Sequence, residues 1–168
     1  QILGHRHPAV IERVREQVAE GTHFGTLNEA QVQFAEMIQA AIPFMEKMRF
    51  CTTGSEATMY ASRLARLFTR KPLIAKARGG WHGGNDTLGY HLKFPFVDDP
   101  FYNGVSFDYN DRDSVDAVIR EHGDELAAVI VEPVLGAGGG IPPEQGFLQY
   151  LREETERIGA LLIFDEII

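Results

Sequence analysis

Disulfide bonding has no place inside this chain, because Cys51 is its single cysteine. That count agrees with a reducing cytoplasm as the expected compartment. Positive charge is also scarce: 16 Lys and Arg stand against 24 Asp and Glu, a net charge of -8. A partner of nucleic-acid backbones needs the opposite balance on one face, so no nucleic acid is expected. No uninterrupted apolar run could cross a bilayer, and Gln1-Ile2-Leu3-Gly4-His5 lacks the shape of a signal peptide. No membrane partner is expected either. The histidines, His5 and His7 among them, show no zinc-ligand spacing, so no metal is expected. What remains is ordinary: 168 residues, 44% hydrophobic and 24% charged, enough for the core of one domain or the larger part of one. Within Met48-Arg49-Phe50-Cys51, the cysteine reads as a buried thiol in preference to a nucleophile.

Hydrophobic periodicity then divides the chain. Ile11, Val14 and Val18 mark one amphipathic helix over 8–18, with Pro8 in its first turn. Phe34, Met37, Ile38 and Ala41 mark a second over 29–41, after the loop 21–26. Met48 to Thr52 reads as a short strand running into a helix from Ser55 to Phe68, with Ala57, Tyr60, Ala61, Leu64 and Phe68 along one face. Leu73–Ala77 reads as a strand, then an irregular stretch over 78–104, then a short strand over 105–108. Asp113 or Ser114 can cap the helix bearing Val115, Val118 and Ile119. Ala127–Val131 and Ala160–Phe164 have the continuous apolar character of strands buried on both faces, separated by a loop over 136–143 and a helix over 147–158. Such alternation predicts an α/β fold: a mostly parallel sheet in three layers, with helices on both faces. Ligands in these folds lie beyond the carboxyl ends of the strands, which directs attention to Gly54-Ser55, Trp81-His82, Glu132 and Asp165-Glu166.

Each of these places has two readings. Thr53-Gly54-Ser55-Glu56 opens a helix, where unpaired N–H groups and the positive dipole end favour a phosphate. The same residues serve equally as a Ser N-cap with an acid in the first turn. Asp165 emerges from Leu161-Leu162-Ile163-Phe164, where a carboxylate is costly unless paired. Its partner could be a protonated ring nitrogen, a metal ion shared with Glu166 and Glu132, or merely the next turn. Trp81, in Gly79-Gly80-Trp81-His82-Gly83-Gly84, could lie flat on a planar ligand or plug the core beneath a loop. His82 could supply a hydrogen bond or a proton step.

In their order along the chain, these segments resemble the class-III (fold-type I) aminotransferases, particularly the branch near glutamate-1-semialdehyde aminomutase. The matching blocks are Gly4 to Val10, Arg49 to Thr58, Gly80-Trp81-His82-Gly83, Ala127 to Pro133, Ile141-Pro142-Pro143 with Gly146-Phe147-Leu148, and Gly159 to Glu166. The resemblance implies that all 168 residues are part of a large domain binding pyridoxal 5'-phosphate (PLP), with an N-terminal segment and a small C-terminal domain absent. It assigns the cofactor phosphate to Gly54 and Ser55, and one ring face to Trp81, where the family usually has Tyr or Phe. His82 is the regular neighbour of that residue. Asp165 matches the partner of the ring nitrogen, Ile167 the aliphatic residue on the other face, and Glu132 a glutamate near the cofactor.

The implied reaction moves an amino group from a small-molecule amine or amino acid to an oxo acid, in a homodimer. A rival is the aminomutase, and another is a non-catalytic subunit or fragment of the same fold. Where aminomutases carry Asn after the Glu-Pro-Val-Leu-Gly run, this chain has Ala137 and then Gly138-Gly139-Gly140, which favours ordinary transamination. The lysine that holds the cofactor in the family lies well downstream of Asp165-Glu166. Lys47, Lys71, Lys76 and Lys93 do not match it, so no catalytic residue is expected within these residues, and the 168 residues alone are expected to be inactive.

Overall fold

The computed structural model describes residues 2–89 and 104–168. Most of the irregular stretch expected over 78–104, with Lys93, lies outside the described residues. The chain divides into two compact units, Gln1–Arg49 and Phe50–Ile168.

The first unit holds α1 (Pro8–Glu20) and α2 (Glu29–Ala41). Pro8 sits in the first turn of α1, where its missing N–H costs nothing. Asn28 caps α2 by accepting the Gln31 N–H at 3.0 Å. Ile11, Val14 and Val18 mark the apolar side of α1, yet neither helix has a buried residue.

The second unit contains α3 (Gly54–Thr69), β1 (Leu73–Ala77), β2 (Val105–Phe107), α4 (Arg112–His122), β3 (Leu126–Val131), α5 (Phe147–Arg157) and β4 (Leu161–Phe164). The strands form one four-stranded sheet in the order β2-β1-β3-β4, parallel throughout. Side chains alternate between its faces. Ala75, Ala77, Val129 and Val131 face Val115 and Ile119 of α4 and Phe147 and Leu151 of α5. Ile74, Ala128 and Ile130 pack with Ala65 of α3 on the other side. This is the three-layer α/β arrangement that the alternation predicts. Every residue of β3 is buried, as expected of a central strand. Each fully buried aliphatic side chain there contributes roughly 1.5–3 kcal/mol.

Lys71 ties the layers at their far edge. Its Nζ donates to Gly123 O at 3.2 Å and Ile158 O at 2.6 Å, the residues that close α4 and α5. A cation there satisfies orphan carbonyls and suits the negative dipole ends.

Several expectations need correction. The segment 48–52 is irregular instead of a strand, and the Thr52 N–H is spent on the Glu56 carboxylate at 3.0 Å. Thr53, two residues before the expected Ser55, is the N-cap of α3, accepting the Glu56 N–H at 3.2 Å. The cap of α4 is Asp111, not Asp113 or Ser114; it accepts from Ser114 N at 3.0 Å. β4 is only half-buried because it lies at the edge of the sheet. On α3 the buried residues are Thr58, Ser62 and Ala65, while Leu64 and Phe68 point outward. Small residues at that spacing let the helix lie close to the sheet. Cys51 is partly exposed, not buried.

Candidate functional site

Parallel pairing sends the segments after β1, β3 and β4 out over one edge of the sheet. These segments begin at Arg78, Glu132 and Asp165. The helix before β1 comes to the same edge by its other end. After α3, Arg70 adopts a left-handed conformation (φ 59°) and the chain turns straight into β1. The helix therefore runs back against the strand, and its N-terminus lands at the carboxyl edge.

A cavity of about 400 Å³ opens there, lined by Thr53, Gly54, Ser55, Thr58, Trp81, His82, Gly83, Asp165, Glu166 and Ile167, among others. Six of the seven residues singled out from the sequence thus meet at one place: Gly54, Ser55, Trp81, His82, Asp165 and Ile167. Glu132 is the exception.

The N–H groups of Gly54 and Ser55 precede the first helical donor, since the first backbone bond of α3 runs from Ala57 N to Thr53 O. They open on the cavity with the positive end of the helix behind them. Ser55 is interlocked with the loop after β1. Its Oγ accepts the Gly84 N–H at 3.1 Å, and a Cβ on Gly83 would come within 2.5 Å of that oxygen. Gly83 also has φ +90°, which L side chains rarely adopt.

His82 is wholly buried and its Nδ1 lies 2.8 Å from Asp165 Oδ2. A carboxylate only accepts, so Nδ1 carries the proton. Nε2 is buried and has no hydrogen-bond partner among the described residues. Among the described residues Asp165 Oδ1 receives only a long contact from Ile167 N, 3.4 Å, and so keeps most of its accepting capacity. The cost of placing Asp165 at the end of a strand is thereby met in part by a histidine, with room left for a second donor.

Glu132, almost fully buried, lies behind the cavity wall. Its Oε1 accepts the Trp81 N–H at 2.9 Å and its Oε2 the Gly136 N–H at 2.7 Å, so it joins two loops. Tyr109 donates to Pro133 O at 2.8 Å; burial, then the Glu132 charge, raises its pKa above the ordinary value.

Two further residues shape the site without having been foreseen. Thr58 directs its hydroxyl to His82 O at 2.6 Å, and the Asn85 amide reaches Thr58 Oγ1 at 3.2 Å. The only sequence signal for Thr58 is its place one helical turn after Gly54. Asn85 offered none beyond following two glycines.

The class-III aminotransferase pattern matches residues 1–168, the whole chain. The chain belongs to the class-III aminotransferase family. Among curated members, the glutamate-1-semialdehyde 2,1-aminomutase of Pyrobaculum calidifontis is 49% identical over 99% of the chain and 40% of its own length. That of Thermoplasma volcanium is 41% identical, with 42% of its length covered. This class-III chain thus spans about 40% of the length of the curated relatives it matches. Among solved structures, an omega-transaminase from Sphaerobacter thermophilus superimposes with a TM-score of 0.87 at 35% identity, over 98% of this chain and 42% of the other. A β-phenylalanine aminotransferase from Variovorax paradoxus gives 0.85 at 36%, over 98% and 38%. No helix among the described residues is long and apolar enough to cross a membrane.

Proposed function

We propose that the cavity at the carboxyl edge binds pyridoxal 5'-phosphate and that the protein moves an amino group on a small molecule. The observation that carries this reading is the pairing, across one cavity, of a free helix N-terminus with a carboxylate held by a buried histidine. One end suits a phosphate and the other a protonated ring nitrogen; the donor set fits the cofactor at both. One solved structure that this chain resembles, at 33% identity, is a transaminase with PLP bound.

When bound, PLP supplies an electron sink for the charge left as a substrate proton departs. The protein's share is positional. Gly54 and Ser55 N–H groups bind the phosphate, Asp165 holds the proton at the ring nitrogen, and His82 orients Asp165. Trp81 and Ile167 restrict the plane between them. Glu132 acts from behind the wall, through the loops it joins.

Between the two amino-transfer chemistries, the curated relatives favour the aminomutase, in which both half-reactions act on one molecule. Intermolecular transamination is the second reading, favoured by the side-chain-poor run Ala137-Gly138-Gly139-Gly140 and by the transaminases among the solved structures. The same reading places the cofactor-holding lysine downstream of Asp165-Glu166, the described chain within a large domain, and the working protein as a homodimer.

Titration of the protein with PLP tests the binding reading, because Trp81 is the single tryptophan of these residues. Saturable quenching of its fluorescence, competed by inorganic phosphate, is expected; no quenching would exclude PLP from this cavity. Turnover of one amino aldehyde without an added oxo acid would select the mutase, and dependence on the oxo acid the transaminase.

A further inference from the structure

One charged side chain of the sheet has no part in that account. Lys76, in the middle of the sheet, is among the largest fully buried side chains of the chain. Burial of a lysine is rare and demands acceptors. Its Nζ donates to Gly80 O at 3.2 Å. Lys76 pairs in register with Ile130 of β3, and Glu132 lies two residues beyond Ile130, on the same face of the sheet. Glu132 accepts the Trp81 N–H at 2.9 Å.

Gly80 O and Trp81 N are the two poles of one peptide unit. A trans peptide directs its C=O and N–H to opposite sides. A lysine amino group therefore holds one pole and a glutamate carboxylate the other, both buried. Rotation of that peptide plane changes ψ of Gly80 and φ of Trp81, and glycine offers little resistance to it. A side chain there would be crowded: a Cβ on Gly80 would lie 3.0 Å from His82 Nε2, 3.1 Å from Ala77 O and 3.5 Å from Glu132 Oε1. Conformational freedom imposed by crowding is removed by the two side chains.

We propose that Lys76 and Glu132 are positioning residues that clamp the Gly80–Trp81 peptide, and so aim the Trp81 ring and the His82 imidazole at the cavity. Neither touches the reacting atoms. The significance for catalysis rests on the PLP reading; the clamp itself does not.

The clamp is measured without cofactor, through Trp81. In the unmodified protein the Trp81 amide should exchange with solvent as slowly as the amides of β3, although it lies in a loop. Exchange at the rate of exposed loop amides would overturn the proposal, whatever the variants do. In Lys76→Met, thermal stability should fall, Trp81 fluorescence anisotropy should drop and its emission should shift to the red. Lys76→Met with Glu132→Gln removes both buried charges, so stability should recover relative to Lys76→Met alone. The anisotropy should stay low, because the carbonyl pole remains unheld. Recovery of both would reduce the pair to charge balance and overturn the clamp, as would unchanged anisotropy in either folded variant. With PLP added, the double variant should bind with weaker apparent affinity than the unmodified protein; equal affinity would also count against the clamp. Absence of quenching in the unmodified protein would instead defeat the cofactor reading and leave the exchange and anisotropy results standing.

Discussion

Asp165 Oδ2 rests 2.8 Å from the Nδ1 of a histidine that has no exposed surface, while the aspartate side chain itself keeps 12% exposure. The histidine fixes one carboxylate oxygen and leaves the other for a ligand. Asp165→Asn keeps the shape but loses the counter-charge for a ring proton. We expect PLP affinity to change by no more than about tenfold, or ~1.4 kcal/mol, because the phosphate end is intact. Turnover in the active protein should fall by on the order of a hundredfold or more. Paired PLP titrations and rate measurements check this, and full activity in the variant would leave Asp165 a structural residue only.

Gly83→Ala should be among the most damaging single changes in the unit. A Cβ would come within 2.6 Å of the Ser55 backbone, and φ +90° would be strained for alanine. A loss of roughly 2–4 kcal/mol is expected, read from urea unfolding. Gly84→Ala, with nothing within 4 Å of its Cβ, is the matched control and should cost far less.

Ser55→Ala removes the acceptor of the Gly84 N–H and leaves the helix start in place. A cost of about 1 kcal/mol in stability is expected. Inorganic phosphate should compete less well with PLP in this variant. Unchanged competition would assign the anion site to the backbone alone.

Much of this was legible before any coordinates. β3 announces itself because a strand buried on both faces has no reason to alternate, whereas the same apolar character in 160–164 gave β4, which is only half-buried. Trp81, His82 and Asp165 followed from strand ends, since parallel pairing leaves them no other edge; Gly54 and Ser55 were reached through a strand over 48–52 that does not form, and Ile167 through the resemblance alone. What could not be read was local competition for hydrogen bonds. Thr53 and Ser55 both cap well, and only the folded backbone shows that Thr53 takes the Glu56 N–H while the Glu56 carboxylate turns back to Thr52. Likewise, Met48 to Thr52 has strand-like composition but forms no part of the described sheet. Glu132 was placed near the ligand by resemblance; its two backbone partners set it behind the wall, a distinction invisible in a Glu-Pro pair. Lys76 reads as an ordinary strand residue until its burial is seen.

Lys71→Met should loosen the far edge of the sheet without reaching the cavity. It removes donors to Gly123 O and Ile158 O, which close α4 and α5. Roughly 1–3 kcal/mol of stability should be lost, and PLP affinity should be unchanged, by thermal unfolding and titration.

Tyr150 offers a pH-dependent measurement. Burial first, then its hydrogen bond to Asp116 and the Asp116 charge, push its ionisation well above the ordinary value. A raised pKa means the folded chain holds the phenolic proton more tightly than the unfolded chain. That stabilisation is complete below about pH 10, the unfolded value, and is lost as pH rises toward the folded one. Asp116→Asn should lower the phenol pKa in an ultraviolet titration and flatten this alkaline slope.

Among the described residues the sheet contains no hairpin, which gives it a kinetic character of its own. Every ladder joins strands separated by a crossover, and the contact that closes the cavity, His82 to Asp165, spans 83 residues. Such distant pairings bring little reward until long loops have closed, so they form late. The start of α3 needs only its own cap and can organise locally. During folding, therefore, the helix-start end of the cavity can be ready while the carboxylate end is still in transit, and on the proposed reading a phosphate-bearing molecule present at that stage would meet half of its site already waiting.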